Sequence, residues 1–119
     1  MTEDLATTGA VQETAFSVYA EPPWLLHLSG ELDLATAPAL AAALEDSIRL
    51  GGTIGLDVAE LSYMDSTGIR VIFNTVRLLG DRGRVVLFNP SPIVRRLIEM
   101  CGLVGTIDIN DGPPPHHPD

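Results

Sequence analysis

Two adjacent hydroxyls, Ser66 and Thr67, stand between a carboxylate, Asp65, and a glycine, Gly68, in the run Glu60-Leu61-Ser62-Tyr63-Met64-Asp65-Ser66-Thr67-Gly68-Ile69. Near the start of a helix, such hydroxyls can cap backbone N–H groups that lack partners. An exposed hydroxyl there can also receive a phosphate. A third use, nucleophilic catalysis, needs a base beside the hydroxyl and a group to orient that base. The histidines are His27, inside a strand pattern, and His116 and His117, in a proline-rich end, and no Gly-x-Ser-x-Gly elbow is present. A hydrolase is therefore disfavoured, and the chain reads as a non-enzymatic protein. On spacing alone the cap is the better reading of Ser66 and Thr67. Asp65 and Gly68 shift the balance toward modification, because a small residue after the hydroxyls leaves a flat surface open to a visiting active site.

Other chemistry-bearing residues have plainer readings. His116 and His117 lack a third ligand for a metal. Glu31, Asp33 and Asp65 lack the spacing of a calcium loop and read as surface carboxylates that meet a protein partner. The glycines at 51, 52 and 55 fall at a helix-to-strand turn, whereas a phosphate cradle runs from strand into helix. Cys101 lies on an apolar helical stripe and reads as core; as the single cysteine it forms no intramolecular disulfide. No metal or cofactor is expected.

The elements that position the hydroxyl pair are read from periodicity. Ile54, Leu56 and Val58 alternate as one face of a strand, and Ile69, Ile72, Phe73, Val76 and Leu79 recur at helical spacing after the hydroxyls. Ahead of them, Phe16, Val18 and Ala20 mark a short strand, Glu21-Pro22-Pro23 a turn, and Trp24 to Leu28 a second strand pairing as a hairpin. Gly30 to Pro38 reads as a loop into a helix, with Thr36 as candidate cap, Pro38 in the first turn, and Leu40, Ala41, Leu44 and Ile48 buried. Arg84 to Phe88 reads as a deeply buried strand. A helix carries Ile93, Val94, Leu97, Ile98 and Cys101 inward, and a last strand spans Val104 to Ile109. A strand pair followed by helix–strand alternation implies a mixed sheet of about five strands with helices mainly on one face, an α/β fold.

The chain has 119 residues and a formal net charge of −9. That is one domain with a modest core, and its acidity argues against nucleic acid, which needs a basic face. Met1-Thr2-Glu3-Asp4 lacks the basic start of a secretory signal, and Arg70, Asn74 and Arg77 interrupt the longest apolar run. A cytoplasmic protein that meets no membrane is expected. Residues 1–12 read as a flexible acidic tail, 13–110 as the domain, and 111–119 as a flexible proline-rich tail.

The joined pattern is more specific than its pieces. Gly30-Glu31-Leu32-Asp33 with Thr36-Ala37, Leu56-Asp57-Val58, Met64 to Ile69, Val85 to Asn89, Pro92-Ile93-Val94 and Met100 to Leu103 occur in the order that resembles the STAS domain (sulfate transporter and anti-sigma factor antagonist). The Asp-Ser-Thr-Gly core is similar to that of its stand-alone bacterial members, the anti-sigma factor antagonists. The resemblance implies partner switching. The unphosphorylated protein binds an anti-sigma factor that is also a serine/threonine kinase, releasing a sigma factor; phosphorylation ends that binding, and a PP2C-type serine phosphatase restores it. It assigns the acceptor to Ser66 and kinase contacts to Glu31, Asp33, Thr36, Asp65, Thr67, Gly68 and Ile69. The alternative within the family is a scaffold, or a small-ligand or nucleotide sensor, whose serine is not phosphorylated. One departure stands out: the family usually continues into another helix where this chain has its proline tail.

Overall fold

The computed structural model describes residues 16–115. The expected acidic tail, His116 and His117 lie outside them. Strand β1 (Ser17–Ala20) pairs antiparallel with β2 (Leu25–Leu32), the two joined across the Pro22-Pro23 turn. Helix α1 (Ala37–Leu50) leads to β3 (Gly52–Met64), α2 (Ser66–Leu79) and one 3-10 turn (Gly80–Arg82) lead to β4 (Gly83–Phe88), and α3 (Pro92–Met100) leads to β5 (Asp108–Asn110). Spatial order equals sequence order, and β2 through β5 are all parallel. Each β–α–β crossover therefore moves one strand along in the same direction. With a common hand, that sends all three helices to the same face.

Burial agrees with this arrangement. Leu40 and Leu44 of α1, Ile69, Ile72 and Leu79 of α2, and Val94 and Ile98 of α3 pack on Leu26, Leu28, Ile54, Leu56, Val58, Val85 and Leu87 of the sheet. Among the described residues, a smaller buried cluster of Leu25, Val86 and Phe88, with Trp24 against it, lies on the opposite face. Gly55 lets that cluster close: a Cβ there would lie 2.6 Å from the Trp24 ring. β4 feeds both clusters, as its continuous apolar run predicts.

Several elements differ from the periodicity reading. β2 continues to Leu32, so Gly30 and Glu31 belong to a strand and not to a loop. β3 continues to Met64 because it bulges twice against β2: the register steps from His27↔Asp57 to Ser29↔Glu60 and from Gly30↔Leu61 to Glu31↔Tyr63. Each bulge inserts one residue and breaks strict alternation, so Val58, Leu61 and Met64 all face the core at intervals of three. The last strand is shorter than Val104 to Ile109; Leu103 and Ile107 are buried in the connection before it. Ala41, Phe73 and Ile93 face outward. Thr75 takes an inward position on α2, its hydroxyl satisfied by donating to the Val71 carbonyl at 2.9 Å. Cys101 is exposed, at the end of α3, and not in the core. Residues 111–115 form neither helix nor strand.

Candidate functional site

The ends of β2 and β3 lie side by side, with Leu32 opposite Met64. A carboxylate organises the chain at the exit of each strand. After β2, Asp33 Oδ1 accepts from the N–H groups of Ala35 (3.0 Å) and Thr36 (3.2 Å), and its own carbonyl accepts from Ala37 N–H (2.8 Å). The aspartate thus builds the turn that starts α1. Thr36 occupies the N-cap position as expected, but its side chain makes no capping bond: its backbone is already helical and its hydroxyl serves the loop. That hydroxyl donates to the Glu31 carbonyl at 2.8 Å and accepts from Asp33 N–H at 2.9 Å.

After β3, Asp65 caps α2. Its backbone is extended and its Oδ1 accepts from Thr67 N–H at 2.9 Å and from the Thr67 hydroxyl. The first of these bonds answers a free backbone donor of the first turn, and the second fixes the Thr67 hydroxyl on the same oxygen. The cap is therefore Asp65, and neither hydroxyl acts as one. The Thr67 hydroxyl, opposed by partial burial and aided by the N–H groups of Thr67 and Gly68, holds the Asp65 carboxyl below the usual aspartate range. A charged carboxylate stands beside Ser66 at neutral pH. The Ser66 side chain is exposed, and its hydroxyl makes no hydrogen bond to another described residue.

The two loops are stitched together. Asp65 N–H donates to the Leu32 carbonyl at 3.1 Å, and the Ser62 hydroxyl donates to the Gly30 carbonyl at 3.1 Å. Glu31, Asp33 and Thr36 therefore share one end of the sheet with Asp65, Ser66, Thr67, Gly68 and Ile69. Gly68 is buried and does not form a flat outer surface; its hydrogen faces Leu32 and Met64. Ile69 is 7% exposed and belongs to the core.

Ser66, Ile69, Arg70, Phe73, Cys101 and Leu103 line a shallow groove of about 310 Å³ beside the helix start. Its floor is apolar, and Arg70 is its cation. Phe73, Cys101 and Arg70 escape a periodicity reading because it assigns apolar residues inward and treats a lone arginine as solvated. The i, i+4 spacing of Ser66 and Arg70 is the signal that finds it. Among the described residues no three His, Cys, Asp or Glu side chains gather as metal ligands. His27 and Asp57 pair elsewhere, on the β1–β2–β3 side, with Nδ1 and Oδ2 3.0 Å apart and His27 Nε2 donating to the Glu21 carbonyl at 2.9 Å.

Residues 17–112 match the model of the STAS domain. The chain belongs to the STAS domain family. Among curated relatives, the anti-sigma-B factor antagonist of Listeria monocytogenes is 38% identical over 88 residues, covering 72% of this chain and 77% of the relative. That of Bacillus subtilis is 33% identical over 86 residues, 71% of this chain and 79% of the relative. Among solved structures, the anti-sigma factor antagonist SpoIIAA in its unphosphorylated form superposes with a TM-score of 0.65 at 30% identity, covering 80% of this chain and 87% of that one. The Bacillus cell fate determinant SpoIIAA in the phosphorylated form gives 0.60 at 29% identity, with 80% and 90% covered. The five-strand mixed sheet with one helical face is thus the fold of this STAS chain and its neighbours.

Proposed function

We propose that this STAS protein is an anti-sigma factor antagonist that binds an anti-sigma factor serine/threonine kinase through the loops at the ends of β2 and β3, and that phosphorylation of Ser66 ends the binding. The observation that carries the reading is the division of labour between neighbouring hydroxyls. Thr67 is committed to Asp65, while Ser66 is exposed and unbonded among the described residues. The relatives' names, and the fact that SpoIIAA has been described in both unphosphorylated and phosphorylated forms, support it.

In the transfer step, Ser66 Oγ attacks the γ-phosphorus of ATP on the kinase. The new Oγ–P bond forms as the bond to ADP breaks, and the hydroxyl proton leaves to a base of the kinase. The product carries about −1.5 to −2 added charges at neutral pH. Locally they are tolerated, since Ser66 lies in the first turn of α2, where the helix dipole favours an anion. Their cost falls on docking: a dianion beside the ionised Asp65 must be stripped of water against the partner. A penalty of about 3 kcal/mol weakens binding more than a hundredfold. A PP2C-type phosphatase that hydrolyses the ester resets the cycle, and the setting is cytoplasmic. No catalytic role is assigned to the chain itself.

The test is incubation with the cognate kinase and ATP, then fragment mass spectrometry. Phosphate on Ser66 is the expected result; phosphate mainly on Thr67 overturns the assignment.

A further inference from the structure

We infer that Arg70 is the intramolecular partner of a phosphate on Ser66, so that modification withdraws a positive charge from the groove as it adds negative ones. The inference rests on the Ser66 reading above. The two residues stand at i and i+4 on α2, the spacing at which side chains share a helix face. Both are exposed, and both line the same groove. Side chains on a helix lean toward its N-terminus, so Arg70 reaches back over the turn that holds Ser66.

Arg70 is also uncommitted. It makes no hydrogen bond or ion pair with another described residue, a freedom it shares with Arg96 on α3, which does not line the groove, whereas Arg49 holds Asp46, Arg77 holds Asn74, Arg82 holds the Leu78 carbonyl, Arg84 holds Asp108 and Arg95 holds Asp111. A guanidinium presents a planar fork of donors that fits a phosphate through two parallel bonds. In the unmodified protein this cation borders the apolar floor made by Ile69, Phe73, Cys101 and Leu103. Such a groove suits a partner segment that places a carboxylate next to an apolar side chain. Once Ser66 carries phosphate, Arg70 is engaged within its own chain and that carboxylate loses its counter-charge.

The experiment installs phosphoserine at position 66 by genetic encoding, without any kinase, and follows the second phosphate ionisation by 31P NMR. A neighbouring cation favours the dianion and lowers the pH at which it forms. Arg70→Gln is therefore expected to raise that midpoint by about half a pH unit, as befits an exposed pair. Arg70→Lys should recover part of the shift, and Arg77→Gln, two turns further along the helix, should change nothing. Coincident titrations for the wild type and Arg70→Gln overturn the pairing, as does an equal shift from Arg77→Gln. Because no kinase is used, this failure is separate from that of the functional reading. A cognate kinase that leaves Ser66 unmodified refutes the latter while the titration still stands.

Discussion

Leu32 lies directly beneath Gly68: a Cβ added to the glycine would fall 2.8 Å from Leu32 Cγ, inside van der Waals contact. The last residue of β2 thereby sets the height of α2 above the sheet, and Asp65 N–H bonds the Leu32 carbonyl alongside. The Ser66 turn is seated by packing beneath it as well as by its own cap.

Gly68→Ala is expected to destabilise the protein by about 1–3 kcal/mol, because Leu32 is fully buried and has nowhere to move. Urea unfolding of the two proteins measures it. Equal midpoints would show that α2 rides up freely, and that the glycine serves the partner surface alone.

Ser66→Ala should change stability by no more than about 0.5 kcal/mol, since the hydroxyl caps nothing. Asp65→Ala should cost about 1 kcal/mol as a lost cap. Thermal melts rank them. In binding to the kinase, Ser66→Ala should match the unmodified wild type and Ser66→Glu should be weaker, the single carboxylate supplying part of the phosphate's charge. Titration calorimetry giving equal affinities for the two variants would rule out the charge switch.

Asp65 also makes stability depend on pH. Its folded carboxyl titrates below the unfolded value because Thr67 bonds favour the anion. The contribution is therefore complete above the unfolded aspartate range, near pH 3.9, and is lost as pH falls through the lower folded value. The gap in melting temperature between wild type and Asp65→Asn should narrow between about pH 5 and pH 2. A gap that stays constant through that interval would mean the cap does not depend on charge.

Asp33 has two jobs that a single carboxylate atom keeps distinct. Asp33→Asn retains an acceptor oxygen for Ala35 and Thr36 N–H but removes the charge, so stability should hold while kinase affinity falls about tenfold. Asp33→Ala should lose stability as well, by about 1 kcal/mol. Asp57 is the contrast. Its carboxylate faces His27 and accepts from Ala59 N–H, so Asp57→Ala should lower stability and leave affinity alone. Parallel melts and calorimetry check all three. Unchanged affinity for Asp33→Asn would move the binding surface elsewhere.

The architecture is legible in the sequence wherever the apolar period survives, as in Ile54, Leu56 and Val58 or in the Arg84 to Phe88 run. It is illegible where local geometry resets the period. The two bulges of β3 turn alternation into steps of three from Val58 to Met64, so the strand is masked up to the hydroxyl pair itself. Capping is half legible: a carboxylate and hydroxyls at a helix start announce a cap, but which side chain bonds which N–H depends on the backbone turn. Asp65 takes that role at α2 where Ser66 is equally suitable by type, and at α1 Thr36 holds the cap position while its hydroxyl bonds the loop instead. Cys101 shows the limit of helical periodicity at a terminus. Its stripe position faces inward only while the helix continues, and the helix stops at Met100.

The single tryptophan, Trp24, sits on the helix-free face, edge-on to Phe88 with ring centroids 6.0 Å apart, and its buried indole N–H has no partner among the described residues. The molecule thus carries one indole, whose emission can be excited selectively beside Tyr19 and Tyr63, on the face of the sheet opposite the Ser66 groove. Emission that shifts on phosphorylation would report a strain transmitted through the strands. Emission that stays constant while the partner dissociates would mark a message written entirely on the outer surface, with the interior as a rigid, silent support.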